Sequence, residues 1–289
     1  AQDIIAMRLA SALDVELVRA DSRRAAIAGT SLDAEDLAMR CQAAAIRLSA
    51  DLDVQARGWC EQALQMDPNN VRALVQLAAW HATRVSRVQS ADPVSDAAQA
   101  RALVTRALAV APDDYAVRCA EAAVLEDEHR LRDSIAAAER CSQLNPSHIG
   151  AYKVLAIDHF FLGEPYKTLE YVQRGMRMSP RDPNMPLLLL FKGWAYFQLH
   201  QDEEALLWLR QATASAPENP TALAALASLL ALTGRDAEAH AAMTRYLDSK
   251  EASTRTIAQW SHVPDDNAAF REFGTRFKSG LRMAGMPER

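Results

Sequence analysis

The chain has 289 residues, 49% of them hydrophobic but only 6% aromatic, and a net charge of −5. It holds 56 alanines against 10 glycines; alanine is the strongest helix former and glycine serves turns, bulges and phosphate loops, so sandwiches, barrels and dinucleotide-binding folds are disfavoured and closely packed helices are expected. The 32 Lys and Arg are interspersed with 37 Asp and Glu, which leaves no basic stripe for nucleic acid, and no apolar run reaches the ~18 residues of a membrane span.

Residues 1–33 read as a capping or linking helix, with Ile5, Leu9, Leu13 and Leu17 on one face. This start lacks an initiator Met and a basic leader and lies inside a helical pattern, so the chain is expected to be cut from a longer protein. Cys41, Cys60, Cys119 and Cys141 are widely spaced, with no C-x-x-C pair. That spacing points away from zinc and from a secreted disulfide scaffold, and toward a reducing compartment; the localisation expected is cytoplasmic.

Prolines in a shared context organise residues 34–250. Pro68, Pro112, Pro146, Pro180 and Pro217 each close an apolar helical stretch and are followed within two residues by Asp, Asn, Ser or Glu. The intervals are 44, 34, 34 and 37 residues, that is, 34 with an insertion of ten in the first and of three in the last. Twelve residues before each Pro stand Ala56, Ala100, Ser134, Thr168 and Ala205, and five before stand Ala63, Ala107, Cys141, Gly175 and Ala212. Small side chains at both offsets are what two closely approaching helices of a hairpin require. The ten-residue insertion, 86–95, is expected to be a loop or an extension between the helices of the second unit. Pro183 and Pro186 disturb the entry to the fifth.

This register resembles the tetratricopeptide repeat family, with about six units. The resemblance implies an all-α right-handed superhelix of antiparallel helix pairs, an α-solenoid with a capping helix at each end. In the C-terminal segment, 251–289, Phe270, Phe273, Phe277 and Leu281 form one helical stripe, with Pro264 read as its first helical position. Two readings of the ends stand side by side: they cap the apolar faces of the terminal repeats, or one of them docks into the groove and blocks it. The flanks, QDIIAMRLASALDVELVRADSRRA and FREFGTRFKSGLRMAGMPER, are similar to those of repeat regions that follow bacterial class III nucleotidyl cyclase domains or winged-helix regulators. That resemblance implies a segment of a larger bacterial signalling protein.

Catalytic constellations are missing from the sequence. None of the seven His forms H-E-x-x-H, and neither a phosphate loop nor G-x-S-x-G occurs. The acidic clusters Asp113-Asp114, Asp202-Glu203-Glu204 and Asp265-Asp266 precede or open helices and read as caps, with Glu126-Asp127-Glu128 left over. No cofactor, no metal and no enzyme activity are expected. A helical-repeat hydrolase, the rival from another class, would need carboxylates, His or a metal converging near Lys153 and Glu126.

The function expected is therefore protein–protein interaction. In the tetratricopeptide family the second, fifth, ninth and twelfth positions of each first helix face the groove. Carried over, these are led by Arg72 and Val75, then Lys153, Ile157 and Phe160, then Leu190, Trp194 and Phe197. An apolar, aromatic lining with two cations nearby suits an amphipathic helix or an extended peptide. The alternative is a homodimer formed through the end helices, with Phe270, Phe273 and Phe277 as its interface.

Overall fold

The computed structural model describes residues 33–45, 50–86, 90–178, 182, 184–249, 252, 254–260 and 267–289. Among them are thirteen α-helices, one 3₁₀ turn and no strand. In chain order the helices are α1 Ala34–Ala45, α2 Ala50–Met66, α3 Val71–Ser86, α4 Pro93–Val110, α5 Tyr115–Asp127, α6 Leu131–Leu144 and α7 Ile149–Phe161. There follow α8 Pro165–Met178, α9 Met185–Gln198, α10 Asp202–Ser215, α11 Pro220–Leu232, α12 Asp236–Asp248, the 3₁₀ turn Ile257–Gln259 and α13 Ala268–Met283. The N-terminal helix face, Pro264 and the fourth proline of the register, Pro180, lie outside the described residues.

The chain divides into two compact units, Ala1–Val154 and Leu155–Arg289, with the division inside α7. In the first unit α1 packs on α2, α3 on α4 and α5 on α6 as helical hairpins, and α1, α3 and α5 pack in succession. In the second unit α9 pairs with α10 and α11 with α12, while α13 lies along α11.

The side chains that the register assigns to helix contacts are buried. Ala56, Ala100, Ser134, Thr168 and Ala205 are at most 3% exposed, and Ala63, Ala107, Cys141 and Ala212 are fully inaccessible. Ser134 satisfies its hydroxyl by donating to Ala122 O across the hairpin at 2.9 Å. At Gly193 an added Cβ would fall 2.7 Å from Leu209 Cγ and 3.3 Å from Ala205 O, so α9 and α10 approach through a position that tolerates no side chain.

The turns between units share one device. Asp114 and Asn219 accept from the backbone N–H groups that open α5 and α11, and Asn70 does so for α3. The turns within units share another, a left-handed residue that ends the first helix. It is His129 in the third unit, Gly163 in the fourth, His200 in the fifth and Gly234 in the sixth. At each, two backbone N–H groups return to the last helical carbonyls in a Schellman arrangement, for example His129 N to Glu126 O and Arg130 N to Leu125 O.

The cysteines correct an expectation. They are paired, Cys41 with Cys60 and Cys119 with Cys141, each bond joining the two helices of one hairpin. The physical reason is proximity across each hairpin, where the paired Cα atoms stand 5.5 and 5.3 Å apart. The expectation of a reducing compartment rested on unpaired cysteines, and that ground is removed. Among the described residues, no helix is long and apolar enough to cross a membrane.

Candidate partner-binding face

Helix α9, MPLLLLFKGWAYFQ, is apolar nearly all round, and eight of its residues are buried. Such a helix needs packing partners on more than one side. Part of this requirement is met by α10 and part by α13, whose sequence AAFREFGTRFKSGLRM alternates a Phe stripe with Arg, Glu, Thr and Lys. The stripe meets the rings of α7 and α9. Phe160 stacks on Trp194 at 5.0 Å and 20°, and Phe273 stands edge-on to Phe160 at 5.0 Å and to Phe197 at 5.4 Å. Phe270 closes on Phe160 at 5.3 Å, and Phe277 on Trp260 at 5.0 Å. Edge-to-face pairs of this kind each contribute ~0.5–1.5 kcal/mol beyond the area they bury.

Polar groups hold the rim. Arg276 lies over the Phe197 ring at 4.5 Å, donates to Phe197 O at 3.2 Å and pairs with Asp202 at 2.5 Å. Asn267 donates to Leu162 O at the other end of the stripe, and Gln198 to Phe160 O at 3.0 Å. Where α13 crosses α11, Gly280 lies on Ser228: an added Cβ would meet Ser228 O at 2.3 Å, and the Ser228 hydroxyl donates to Phe277 O at 2.8 Å. The indole N–H of Trp194 is buried with no hydrogen-bond acceptor.

The residues assigned to a groove are therefore gathered in part and covered. Phe160, Leu190 and Phe197 are 1% exposed, Ile157 7% and Trp194 8%, while Phe270, Phe273 and Phe277 are 3%, 8% and 4%. In this arrangement the Phe stripe spends itself on its own chain. In the first unit, Arg72 is not a free groove cation: its guanidinium bonds Glu35 at 2.8 Å and also Gln42. Val75 is core. Lys153 is half-buried, and its charge acts on Asp127, whose carboxyl burial pushes up to about 6 from the ordinary 3.8 despite that attraction.

The arrangement nearest to a catalytic one was invisible in the sequence. Asp96 on α4 lies 2.6 Å from His81 Nδ1 and accepts from the Ser90 hydroxyl at 2.5 Å, with Arg84 Nε 3.5 Å away. Ser90's hydrogen bond leads the effects that hold the Asp96 carboxyl below its usual range, with the charges of His81 and Arg84 adding to it. Ser and His share one carboxylate here. The hydroxyl thus faces an acceptor rather than the imidazole that would have to deprotonate it. The geometry is a clasp that ties Ser90, just ahead of α4, to Asp96 of α4 and through it to His81 of α3. The acidic cluster at 126–128 also makes structural contacts: Glu128 pairs with Arg101 at 2.5 Å and with Arg130 at 3.7 Å.

No protein-family model matches the chain, and no curated protein does. Solved structures do. A chain of the APC/C hetero-tetramer Cut9–Hcn1 superposes with a TM-score of 0.66 over 95% of this chain and 48% of its own length, at 11% identity. Human IFIT1, a dimer with m7Gppp-AAAA, matches with a TM-score of 0.63 over 87% of this chain and 60% of its own, at 16% identity. A thermophilic TPR protein from Thermus thermophilus matches at 0.50 over 71% of this chain and 99% of its own, at 20% identity. The fold is that of a tetratricopeptide-like repeat array. The chain spans about half to three-fifths of the length of the first two.

Proposed function

We propose that this chain is a protein-interaction module whose C-terminal unit takes an amphipathic helix with large apolar anchors at i, i+3 and i+7. The observation that carries this reading is the ring cluster of Phe160, Trp194 and Phe197 on Phe270, Phe273 and Phe277. Helix α13 occupies the face that a partner helix would take, so a partner competes with it. The Cut9–Hcn1 assembly supports a protein partner for this fold, whereas capped RNA, as in IFIT1, is disfavoured here by the net charge of −5. The flanking sequences support placing the module in a larger bacterial signalling protein, as its regulatory segment.

A labelled peptide with the sequence of residues 267–286 tests this directly. Wild-type chain binds it weakly, because the face is filled. A Phe270→Glu/Phe273→Glu chain, with its own helix expelled, binds it at least about tenfold more tightly by fluorescence anisotropy. Adding Trp194→Ala to that chain removes the gain. An expelled-helix chain that keeps its helical circular dichroism yet does not bind the peptide overturns the reading. Self-association through the Phe stripe would require α13 to exchange between copies, which sedimentation over a concentration range reports.

A further inference from the structure

Cys119 projects from α5, Cys141 from α6 and His148 from the turn that leads into α7. Their two sulfurs and an imidazole nitrogen all lie within 4.8 Å of one another. Cys141 is fully buried, while Cys119 and His148 retain partial access to solvent. The imidazole is positioned by its surroundings. Tyr115 lies against it at 5.2 Å, and Gly150 leaves the space it fills, since a Cβ there would fall 2.6 Å from His148 Nε2. Gly150 stands in the first turn of a helix, where its backbone does not require glycine and where alanine would be favoured by ~1 kcal/mol. The ring takes the space that a side chain at 150 would fill. Among the described residues, no His, Asp or Glu joins Cys41 and Cys60 in a comparable cluster.

We propose that Cys119, Cys141 and His148 form a redox-gated Zn²⁺ site. With the bridge closed, the two sulfurs are bonded to each other and have no thiolate to offer. A dithiol reductant opens it, delivering two electrons and two protons and leaving as its own disulfide. The two thiols then release their protons as Zn²⁺ takes both thiolates and the neutral imidazole nitrogen. Zn–S distances of ~2.3 Å and Zn–N of ~2.0–2.1 Å put the donors roughly 3.5–3.8 Å apart, inside the span they already share. Two thiolates and one imidazole suit Zn²⁺ rather than Mg²⁺ or Ca²⁺, and three protein ligands leave the fourth position to solvent. The α5–α6 hairpin is stapled in both states, by a covalent bond or by the metal.

The test uses the full chain, reduced with dithiothreitol, freed of it without air, and titrated with Co²⁺ and then Zn²⁺. The reduced chain takes up one Co²⁺ with a thiolate-to-cobalt charge-transfer band that Zn²⁺ abolishes, and the oxidised chain shows no such band. His148→Ala weakens Zn²⁺ binding at least about tenfold in competition with a chromophoric chelator. Gly150→Ala, whose methyl would press on the His148 ring and displace it, weakens it as well. Cys41→Ser/Cys60→Ser leaves it unchanged. Absence of the band in the reduced wild-type chain, or full affinity in His148→Ala or Cys119→Ser with helicity retained, overturns the proposal.

Discussion

At the end of α5 the backbone turns left-handed on a histidine, His129, with φ at 58°. Gly163 and Gly234 hold the same place in two other units at 69° and 74°. A side chain in that region costs roughly 1–2 kcal/mol, partly offset because glycine loses more freedom on folding. The exposed His129 should therefore be improvable: His129→Gly raises stability by about 0.5–1 kcal/mol, read as a higher urea midpoint, while Gly234→Ala lowers it. Asp127 gives a prediction of opposite character. Burial raises its carboxyl to about 6, and Glu128 adds to the rise against the pull of Lys153. The folded chain therefore binds this proton more tightly than the unfolded chain does, so the group's contribution improves as pH falls from about 6 toward 4 and is least favourable above that window. Asp127→Asn stabilises the protein on the order of 1–2 kcal/mol at pH 7.5. The gain vanishes near pH 4, which denaturant melts at the two pH values measure.

At the level of elements, α13 has the clearest energetics. Its stripe, with Phe270, Phe273, Phe277 and Leu281 buried at 8% exposure or less, has an opposite face of Arg271, Glu272 and Thr275 exposed. Phe273 touches Phe160, Trp194, Phe197, Phe270 and Phe277. Phe273→Ala should cost about 3–5 kcal/mol. Gly280→Ala attacks the same helix at its closest approach, since the new methyl would collide with the Ser228 carbonyl. Because α13 packs chiefly on α11 and the rings of α9, both changes should act locally first. Hydrogen exchange accelerates across residues 268–286, whereas the α3–α4 hairpin, held by the His81–Asp96–Ser90 clasp, keeps its protection. Uniform acceleration over the whole chain would contradict this.

Over the whole molecule, what the sequence revealed was what is local. A 34-residue proline period and small residues at two offsets are properties of neighbouring turns, so Ala63, Ala107 and Ala212 were identifiable as helix contacts and the all-α repeat fold followed. The cysteine pairs were harder to read. Their separations of 19 and 22 residues acquire meaning only when the facing positions of each hairpin are known. The third donor beside Cys119 and Cys141 comes from a turn, with no helical periodicity to announce it. Trp194 and Phe160 read in the sequence as the lining of an apolar aromatic groove, and in the structure they lie buried beneath the Phe stripe of α13. An apolar face looks the same in sequence whether its own chain or another covers it, so the readings of α13 as cap and as groove occupant stayed open.

The C-terminal closure has a consequence for the order in which the protein is made. Within the first unit, side-chain bonds between elements span short stretches, such as Arg106 to Pro68 at 38 residues or Arg140 to Asp113 at 27. Asn267 reaches back 105 residues to Leu162, and Arg276 reaches 79 to Phe197. The tail then pairs with the 3₁₀ turn, Ile257 N to Pro287 O at 2.8 Å. Within each unit, repeats can therefore settle one after another as they leave the ribosome. The rings of Phe160, Trp194 and Phe197 must wait for about the last twenty residues of this chain. Through most of its synthesis the second unit carries a bare aromatic face, which is the interval in which a chaperone or a binding partner would reach it first.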